Sequence, residues 1–310
     1  MIDLHTHTLY SDGSDTVEQL LSAAARLGLT HLSITDHNTV GAYRDPAMER
    51  LPELYPGRLI PGVEITCMFE GEIVEVLGYG FSLDAMENQL PQIVLPFREK
   101  QLREQALIAA AFHRAGVIYD PEAIVFDPDH ESSRKAFLRQ LVKEPRNLRL
   151  LTNPASAGKS SLFTRQEIYN PDSPLYVDES SLYPTVVQAA LAIHSCGGIA
   201  LLAHLYEYAH ADDFRSRLLD IVRRNELDGV ECAHSSFTAA QTADLEEWCI
   251  RNDLLSSGGS DYHGSRKPDI ALGTGRGQLA ISTQYLERWP STSKITAPAP
   301  SDKPAAPPHP

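Results

Sequence analysis

The chain has 310 residues, 42% of them hydrophobic, and a formal net charge of −14 from 41 acidic and 27 basic side chains. That length suits one large barrel-type domain or a barrel with a smaller insertion. The acidic balance argues against broad capture of duplex DNA, while leaving room for a small phosphorylated ligand at a locally basic site. No apolar run approaches the ~20 residues that span a bilayer, which argues against a membrane partner. The four cysteines, Cys67, Cys196, Cys232 and Cys249, form no CxxC pair. With no secretory leader behind Met1, they read as reduced thiols of a cytoplasmic protein.

The chain opens with Ile2-Asp3-Leu4, a short buried strand that runs into His5-Thr6-His7. Residues i and i+2 share a face of an extended chain, so both imidazoles point to one side. Two nitrogens so placed suit one ion at about 2.0–2.1 Å, typical of zinc. Asp12 follows within reach, and Gly13 permits a sharp turn away. Asp15 or Thr16 caps a helix whose Val17, Leu20, Leu21, Ala24 and Leu27 share a face, and Gly28 stops it. Residues 32–35 form the next strand and end in Asp36 and His37. The strand–helix–strand unit is the right-handed crossover of parallel sheets and barrels. Residues 58–66, carrying Glu64, and 74–81 supply two more strands around a turn at Gly71.

From residue 83 to 182 the pattern changes. Residues 97–115 read as a long helix with Leu102, Ala106, Ala109 and Phe112 apolar, closed by Gly116. Residues 134–142 read as a second helix, and Pro145, Pro154, Pro171 and Pro174 punctuate the irregular chain beyond it. No ligand-bearing strand end appears, so 83–182 is expected to be an inserted, mostly helical domain between barrel segments 1–82 and 183–289. Arg134, Lys135, Arg139, Lys143, Arg146, Arg149, Lys159 and Arg165 outnumber Glu131, Glu144 and Glu167 there. This is either a solvated basic face or a clamp for phosphate. Gly158-Lys159-Ser160 mimics the end of a P-loop, but Asn153 stands where its first glycine belongs and no apolar strand precedes it.

Barrel patterning resumes at Tyr183. A helix with Val187, Leu191 and Ile193 apolar ends at Gly197-Gly198, and the apolar strand after it runs into His204. A helix over 214–222 leads to the strand 229–232, which puts His234 on the rim. The helix 239–250 and strand 254–257 come next. Then Gly258-Gly259-Ser260-Asp261-Tyr262-His263 repeats the i, i+2 device. One strand ending in polar residues is an ordinary capped strand. Recurrence at the same end of successive strands points instead to a shared metal site. His31, His113, His130, His194, His210 and His309 have no such placement and read as structural or solvent residues. Residues 290–310, rich in Pro, Ala, Ser and Thr, are expected to form a disordered tail.

Taken in order, HTH, SDG, TDHN, GVE, AH and GSDYH resemble the polymerase and histidinol phosphatase (PHP) superfamily of metal-dependent phosphoesterases. The likeness is greatest to its stand-alone bacterial enzymes with an inserted domain, which act on small nucleotides or RNA ends. The resemblance implies an α/β fold, a distorted (β/α)7-type barrel, and two to three divalent transition-metal ions. It implies that His5, His7, Glu64 and Asp261 hold one ion, that Glu64 bridges to a second shared with His204, and that Asp12, His37 and His263 hold a third. Glu75 stands where members often have a histidine before Leu-Gly. It either ligates through oxygen, favouring Mn²⁺, or leaves the second site weak. Mixed imidazole and carboxylate ligation suits Mn, Zn or Fe alike. Asp36 is expected to orient an imidazole. Arg134, matching the family's Arg-x-His with Ala136 in place of the histidine, is the expected phosphate contact, with Lys267 a second. His234 is expected to touch substrate or to protonate the leaving oxygen.

The implied reaction is hydrolysis of a small phosphorylated substrate, such as a nucleoside 3′,5′-bisphosphate or a short RNA end, by metal-activated water. Alternatives are hydrolysis of histidinol phosphate, amidohydrolase-like chemistry, or a catalytically silent accessory domain. Amidohydrolases normally place a lysine where Glu64 would bridge the metals.

Overall fold

The protein is represented by a computed structural model that describes residues 1–208, 212–224 and 226–290. Its strands are β1 (Ile2–Asp3), β2 (His31–Ile34), β3 (Arg58–Phe69), β4 (Glu72–Tyr79), β5 (Ile199–Leu202), β6 (Gly229–Ala233) and β7 (Leu255–Gly258). They form one seven-stranded sheet in chain order. β1 to β3 run parallel, β5 to β7 run parallel, and β4 pairs antiparallel with β5. The outer strands then meet. Leu4 N donates to Gly258 O (3.2 Å), Asp261 N to His5 O (2.9 Å) and His7 N to Tyr262 O (2.8 Å). The fold is therefore α/β, a distorted seven-stranded barrel closed by its first and last strands.

Strands covered on both faces need continuous apolar sequence, and β6 is buried at every position, including its Glu231. The helix Val17–Arg26 is capped by Thr16, whose side chain accepts from Gln19 N while Gln19 reaches back. This capping box resolves the choice between Asp15 and Thr16. Thr185 with Gln188 and Thr238 with Gln241 repeat it before Val186–Ser195 and Ala239–Arg251. Each of these helix starts is thus fixed by the same local chemistry. Tyr43 ties β2 to β3: its hydroxyl donates to Ile34 O (2.7 Å) and accepts from Gly62 N (2.7 Å) and Ile34 N (3.1 Å).

The chain divides into two compact units. One comprises Met1–Cys67, Ile73–Ile93 and the described residues from Thr185 onward; the other comprises Met68–Glu72 and Val94–Pro184. The helix Leu83–Ile93, grouped with the insertion on sequence, packs here against Val186–Ser195. In the second unit, Phe97–Ala115 buries Gln101, Glu104, Ile108, Ala111 and Phe112, whereas Leu102 is exposed. The apolar count put this helix one position out of phase, because two polar residues belong to its inward face. Gln101 accepts from Ser133 N (2.9 Å), and Glu104 accepts from the Ser133 hydroxyl. Phe112 meets Phe137 and Tyr119 edge-on at 5.0 and 5.4 Å.

Two further apolar positions face outward, against expectation. Leu27 and Leu191 are exposed, and the helix Val186–Ser195 buries Val186, Ala189, Ala190, Ala192 and Ile193 instead. Small alanines let that helix lie close to its neighbours, so its inward face is not marked by its largest side chain. Among the described residues no helix is long and apolar enough to cross a membrane. His210 and the expected tail beyond Pro290 lie outside the described residues.

Candidate metal centre

The strand ends bring the polar residues together by tight local devices. Thr6, between His5 and His7, donates from its hydroxyl to Ser33 O (2.8 Å), and its N donates to Thr35 Oγ1 (3.1 Å). The His pair is thereby pinned to the end of β2. Gly259 lies so close that a Cβ there would stand 2.2 Å from the Cβ of His5. Gly13 also answers to crowding: a Cβ would stand 2.6 Å from His7 O, and no left-handed φ is involved. Asn38, His204 and Asp261 do take positive φ, at 58°, 21° and 58°. Such backbone costs ~1–3 kcal/mol for a non-glycine residue and persists where surrounding bonds over-determine it. At Asn38 the bonds are visible: Oδ1 accepts from Thr66 N and Nδ2 donates to Thr66 Oγ1, both at 3.0 Å. They lock His37 beside Glu64.

Glu64 is the hub. Its Oε1 lies 3.0 Å from His204 Nε2 and 3.3 Å from His5 Nε2. Its Oε2 lies 3.1 Å from His37 Nδ1 and 3.3 Å from His7 Nε2. Glu75 reaches His204 Nε2 (3.0 Å) and His37 Nδ1 (3.3 Å). Asp261 Oδ1 lies 3.4 Å from His7 Nε2 and 3.6 Å from His5 Nε2. Asp12 Oδ1 is 3.2 Å from His263 Nε2, 3.5 Å from His7 Nδ1 and 3.7 Å from His37 Nε2. The donors form four overlapping groups: His5, His7 and Asp261; His5, Glu64 and His204; His37, Glu64 and Glu75; and His7, Asp12, His37 and His263. All nine ligand candidates named from sequence belong to them. His7 also joins the group of Asp12, His37 and His263 through its second nitrogen.

The donor chemistry fits divalent cations. His5 Nε2, His7 Nε2, His37 Nδ1 and His263 Nε2 are buried without a hydrogen-bond partner, a state that costs ~1–3 kcal/mol each unless something binds there. Burial alone would push the Glu64 carboxyl up, but the imidazoles of His5, His37 and His204 hold it well below the usual carboxylate range. Asp261 behaves likewise: burial opposes its charge, and the neighbouring imidazoles of His234, His7 and His5 keep it well below. Burial lowers His7 to about 3, against the pull of Asp261, so this imidazole is neutral and its lone pair is available. His5, His37 and His204 go the other way: burial opposes their charge, but the carboxylates of Glu64, Glu75 and Glu231 raise their proton affinity, so a cation must displace protons there.

Three other residues named from sequence have partners within the protein. Asp36 touches no imidazole directly. It accepts from Thr8 N (2.7 Å), Thr8 Oγ1 (2.6 Å) and Ser11 Oγ (2.5 Å), and only Ser11 Oγ approaches a ring, His7 Nδ1 at 3.4 Å. It organises the loop after His7. Arg134 is not a free phosphate donor: within its own unit it bonds Glu179 Oε1 and Oε2 (2.9 and 2.8 Å) and pairs with Glu104, with Tyr169 4.9 Å away. Two other basic residues of that segment are also paired, Arg139 with Glu131 and Arg146 with Glu144. Lys267 pairs with Asp261 Oδ2, so it steadies a ligand candidate at the pocket edge. His234 does enter the pocket, its Nε2 3.5 Å from Asp261 Oδ2.

Sequence reading missed two buried carboxylates. Asp3 accepts from Ser260 Oγ (2.6 Å), Gly273 N (2.7 Å) and Ser260 N (2.9 Å), binding β1 to the loop that carries Asp261. Glu231 meets His5 Nδ1 at 2.9 Å and His204 N at 2.8 Å. The available signal was an acid inside an otherwise apolar strand, Gly229-Val230-Glu231-Cys232-Ala233, where an unpaired carboxylate would be costly.

A closed α/β barrel whose strand ends gather imidazoles around shared carboxylates defines a metallohydrolase. Comparison with known proteins specifies which kind. The PHP domain model matches residues 3–141. The phosphoribosyl 1,2-cyclic phosphate 1,2-diphosphodiesterase of Eggerthella lenta is 31% identical over 283 residues, spanning 87% of this chain and 97% of its own. The 3′,5′-nucleoside bisphosphate phosphatase of Chromobacterium violaceum is 26% identical over 264 residues, 84% of this chain and 87% of its own. A solved structure from C. violaceum, described as an amidohydrolase with bound sulfate, superposes with a TM-score of 0.60 at 23% identity, covering 88% of this chain and 89% of that one. The chain belongs to the PHP family and is a metal-dependent phosphoesterase.

Proposed function

We propose that the chain hydrolyses phosphate esters on small sugar- or nucleoside-bearing molecules, nucleotides foremost, with two or three divalent ions held among its strand ends. The observation that carries this reading is Glu64, one carboxylate within 3.0–3.3 Å of four imidazoles from three separate segments. His5, His7, Glu64 and Asp261 would hold one ion, Glu64 with His204 and Glu75 a second, and Asp12, His37 and His263 a third. Ions held there would supply a water of lowered pKa, toward ~7, and offset charge on phosphoryl oxygens. Glu75 tilts the donor set toward oxygen, which favours Mn²⁺ over Zn²⁺.

The side chains around the ligands supply the rest. His234 Nδ1 accepts from Ser236 N (3.3 Å) and lies 2.9 Å from Ser236 Oγ. The imidazole proton therefore resides on Nε2, which is buried and has no partner. That N–H would hydrogen-bond the leaving oxygen and offset its developing charge. Lys267 grips Asp261 while remaining 39% exposed at its side chain, so its ammonium also faces an arriving phosphate. His5, His7 and Glu64 are 0–1% exposed, and such low-dielectric surroundings strengthen each of these interactions.

The relatives from E. lenta and C. violaceum are named for action on a phosphorylated sugar and a phosphorylated nucleoside, which supports that substrate class. The test is phosphate release by protein loaded with Mn²⁺, Fe²⁺ or Zn²⁺. Substrates are nucleoside 3′,5′-bisphosphates, cyclic ribose phosphates, 5′-phosphorylated short RNAs, histidinol phosphate and a panel of amides. Ribose-borne esters should turn over fastest. Preference for histidinol phosphate, hydrolysis of amides alone, or inertness toward every ester overturns the reading.

A further inference from the structure

We infer that Glu231 is a positioning residue that sets the metal-binding form of two histidines at once; this rests on the reading of His5 and His204 as ligands. Glu231 is fully buried on β6, and each of its oxygens has a different task. Oε1 meets His5 Nδ1 at 2.9 Å, and Oε2 accepts from His204 N at 2.8 Å. A carboxylate oxygen accepts and cannot donate, so the His5 proton resides on Nδ1. In the ion-binding form His5 Nε2 is then left as a bare lone pair, and it is the nitrogen that faces Glu64 and Asp261.

The second oxygen works on backbone. His204 has φ 21° and ψ 55°, far from the helical and extended basins. Such a residue relaxes unless its neighbours hold it. The bond from its N to Glu231 anchors it from one side, and Ala203 N, which donates to Glu75 O (3.0 Å), anchors the residue before it. The ring of His204 thereby stays near that of His5, with centroids 5.7 Å apart. The chain ends of β1 and β5 contribute one ligand candidate each to this pair, and β6, which contributes none, aligns both.

Glutamine at 231 has the same shape but one acceptor oxygen. If its NH₂ faces His5, the ring must take its proton on Nε2 and cannot ligate there. If its NH₂ faces His204 N, donor meets donor and the strained turn loses its anchor. Either way one ligand is misdirected.

The test is Mn²⁺ titration of the chelator-stripped full chain, read by the electron-spin signal of free Mn²⁺. Glu231→Gln should weaken the tightest site by ~10–100-fold, the range for loss of a ligand's orienting partner. Asp228→Asn is the structural control. Asp228 holds Ala200 N and His194 in the same β5–β6 region without touching the pocket, and its loss should leave Mn²⁺ affinity unchanged. His5→Ala separates the two levels of argument. Wild-type affinity in His5→Ala overturns the ligand reading itself. Lost affinity in His5→Ala with wild-type affinity in Glu231→Gln overturns the role of Glu231 alone. Should Glu231→Gln fail to fold, the nitrogen spectrum of the Zn²⁺-loaded wild-type protein decides. A protonated Nδ1 at His5 supports the inference, and a bare Nδ1 overturns it.

Discussion

Replacing Arg134 with methionine separates its two readings, phosphate clamp and structural cation. The guanidinium sits between Glu104 and Glu179, which are 0% and 3% exposed, and its own side chain is 15% exposed. Methionine keeps much of the volume but leaves two buried carboxylates with only Lys100 nearby. Breaking a buried pair in this way costs ~3–5 kcal/mol. Burial pushes Glu179 up to about 7, against the pull of Arg134, and pushes Lys100 down to about 8. Because Glu179 binds its proton more tightly folded than unfolded, its contribution is complete below about 4.5 and is lost as pH rises toward about 7. Without the guanidinium the folded carboxyl rises further. The variant then continues to lose stability above pH 7, by up to ~1.4 kcal/mol per pH unit, where wild type has levelled off. Hydrogen exchange in the helix Phe97–Ala115 reads this locally. At pH 8 exchange should quicken by roughly two to three and a half orders of magnitude, the equivalent of ~3–5 kcal/mol. At pH 5 most of the gap should close. A gap independent of pH refutes the electrostatic account. Unchanged exchange with a raised KM for phosphate esters restores the clamp.

Glu64→Gln removes the carboxylate shared by four imidazoles, so turnover should fall by more than the ~10–100-fold that accompanies loss of an orienting partner. Elemental analysis should find fewer ions per chain, and wild-type turnover would remove Glu64 from the centre. Glu75→His exchanges an oxygen donor for nitrogen beside His204, and Zn²⁺ should gain on Mn²⁺ by at least ~tenfold in competitive loading; an unchanged ratio places Glu75 outside coordination. Tyr43→Phe strips a hydroxyl that serves Ile34 and Gly62, leaving buried backbone groups unpaired at ~1–3 kcal/mol. Urea unfolding should lose that much stability, and a wild-type midpoint would mean that the β2–β3 contact relaxes without it.

The sequence disclosed the ligand candidates and hid what holds them, for a physical reason. A ligand at a strand end sits next to turn residues and repeats with the same parity, as in His5 and His7 or Asp261 and His263, so its signal is local. The groups that orient ligands are far away in sequence: Glu231 is 226 residues from His5, and Ser260 is 257 from Asp3. Arg134 shows the same limit in reverse. The window 131–167 looks basic because the acids that neutralise Arg134, Glu104 and Glu179, lie outside it. Apolar counting failed where small or polar residues form the inward face, at Gln101 and Glu104 in one helix and Ala189 and Ala190 in another.

These misses share a cause with the chemistry. A pocket that must hold several cations in low dielectric needs carboxylates whose charge is fixed by distant partners, since adjacent residues in a strand point to opposite faces. Glu231 does this from the interior of a strand that otherwise reads as core. An acid inside such a strand is therefore a signal for a hidden orienting group, and in this chain that signal selects Glu231 from the sequence alone. Asp3 meets the same criterion, and its raised proton affinity stems from burial, opposed by its hydrogen-bond donors. Asp3→Asn keeps one acceptor oxygen for donors from both Ser260 and Gly273, and should release the loop that bears Asp261 while β1 stays paired. Faster exchange at 260–263 with unchanged exchange at 31–34 is the expected pattern; equal change in both would make Asp3 an ordinary core residue.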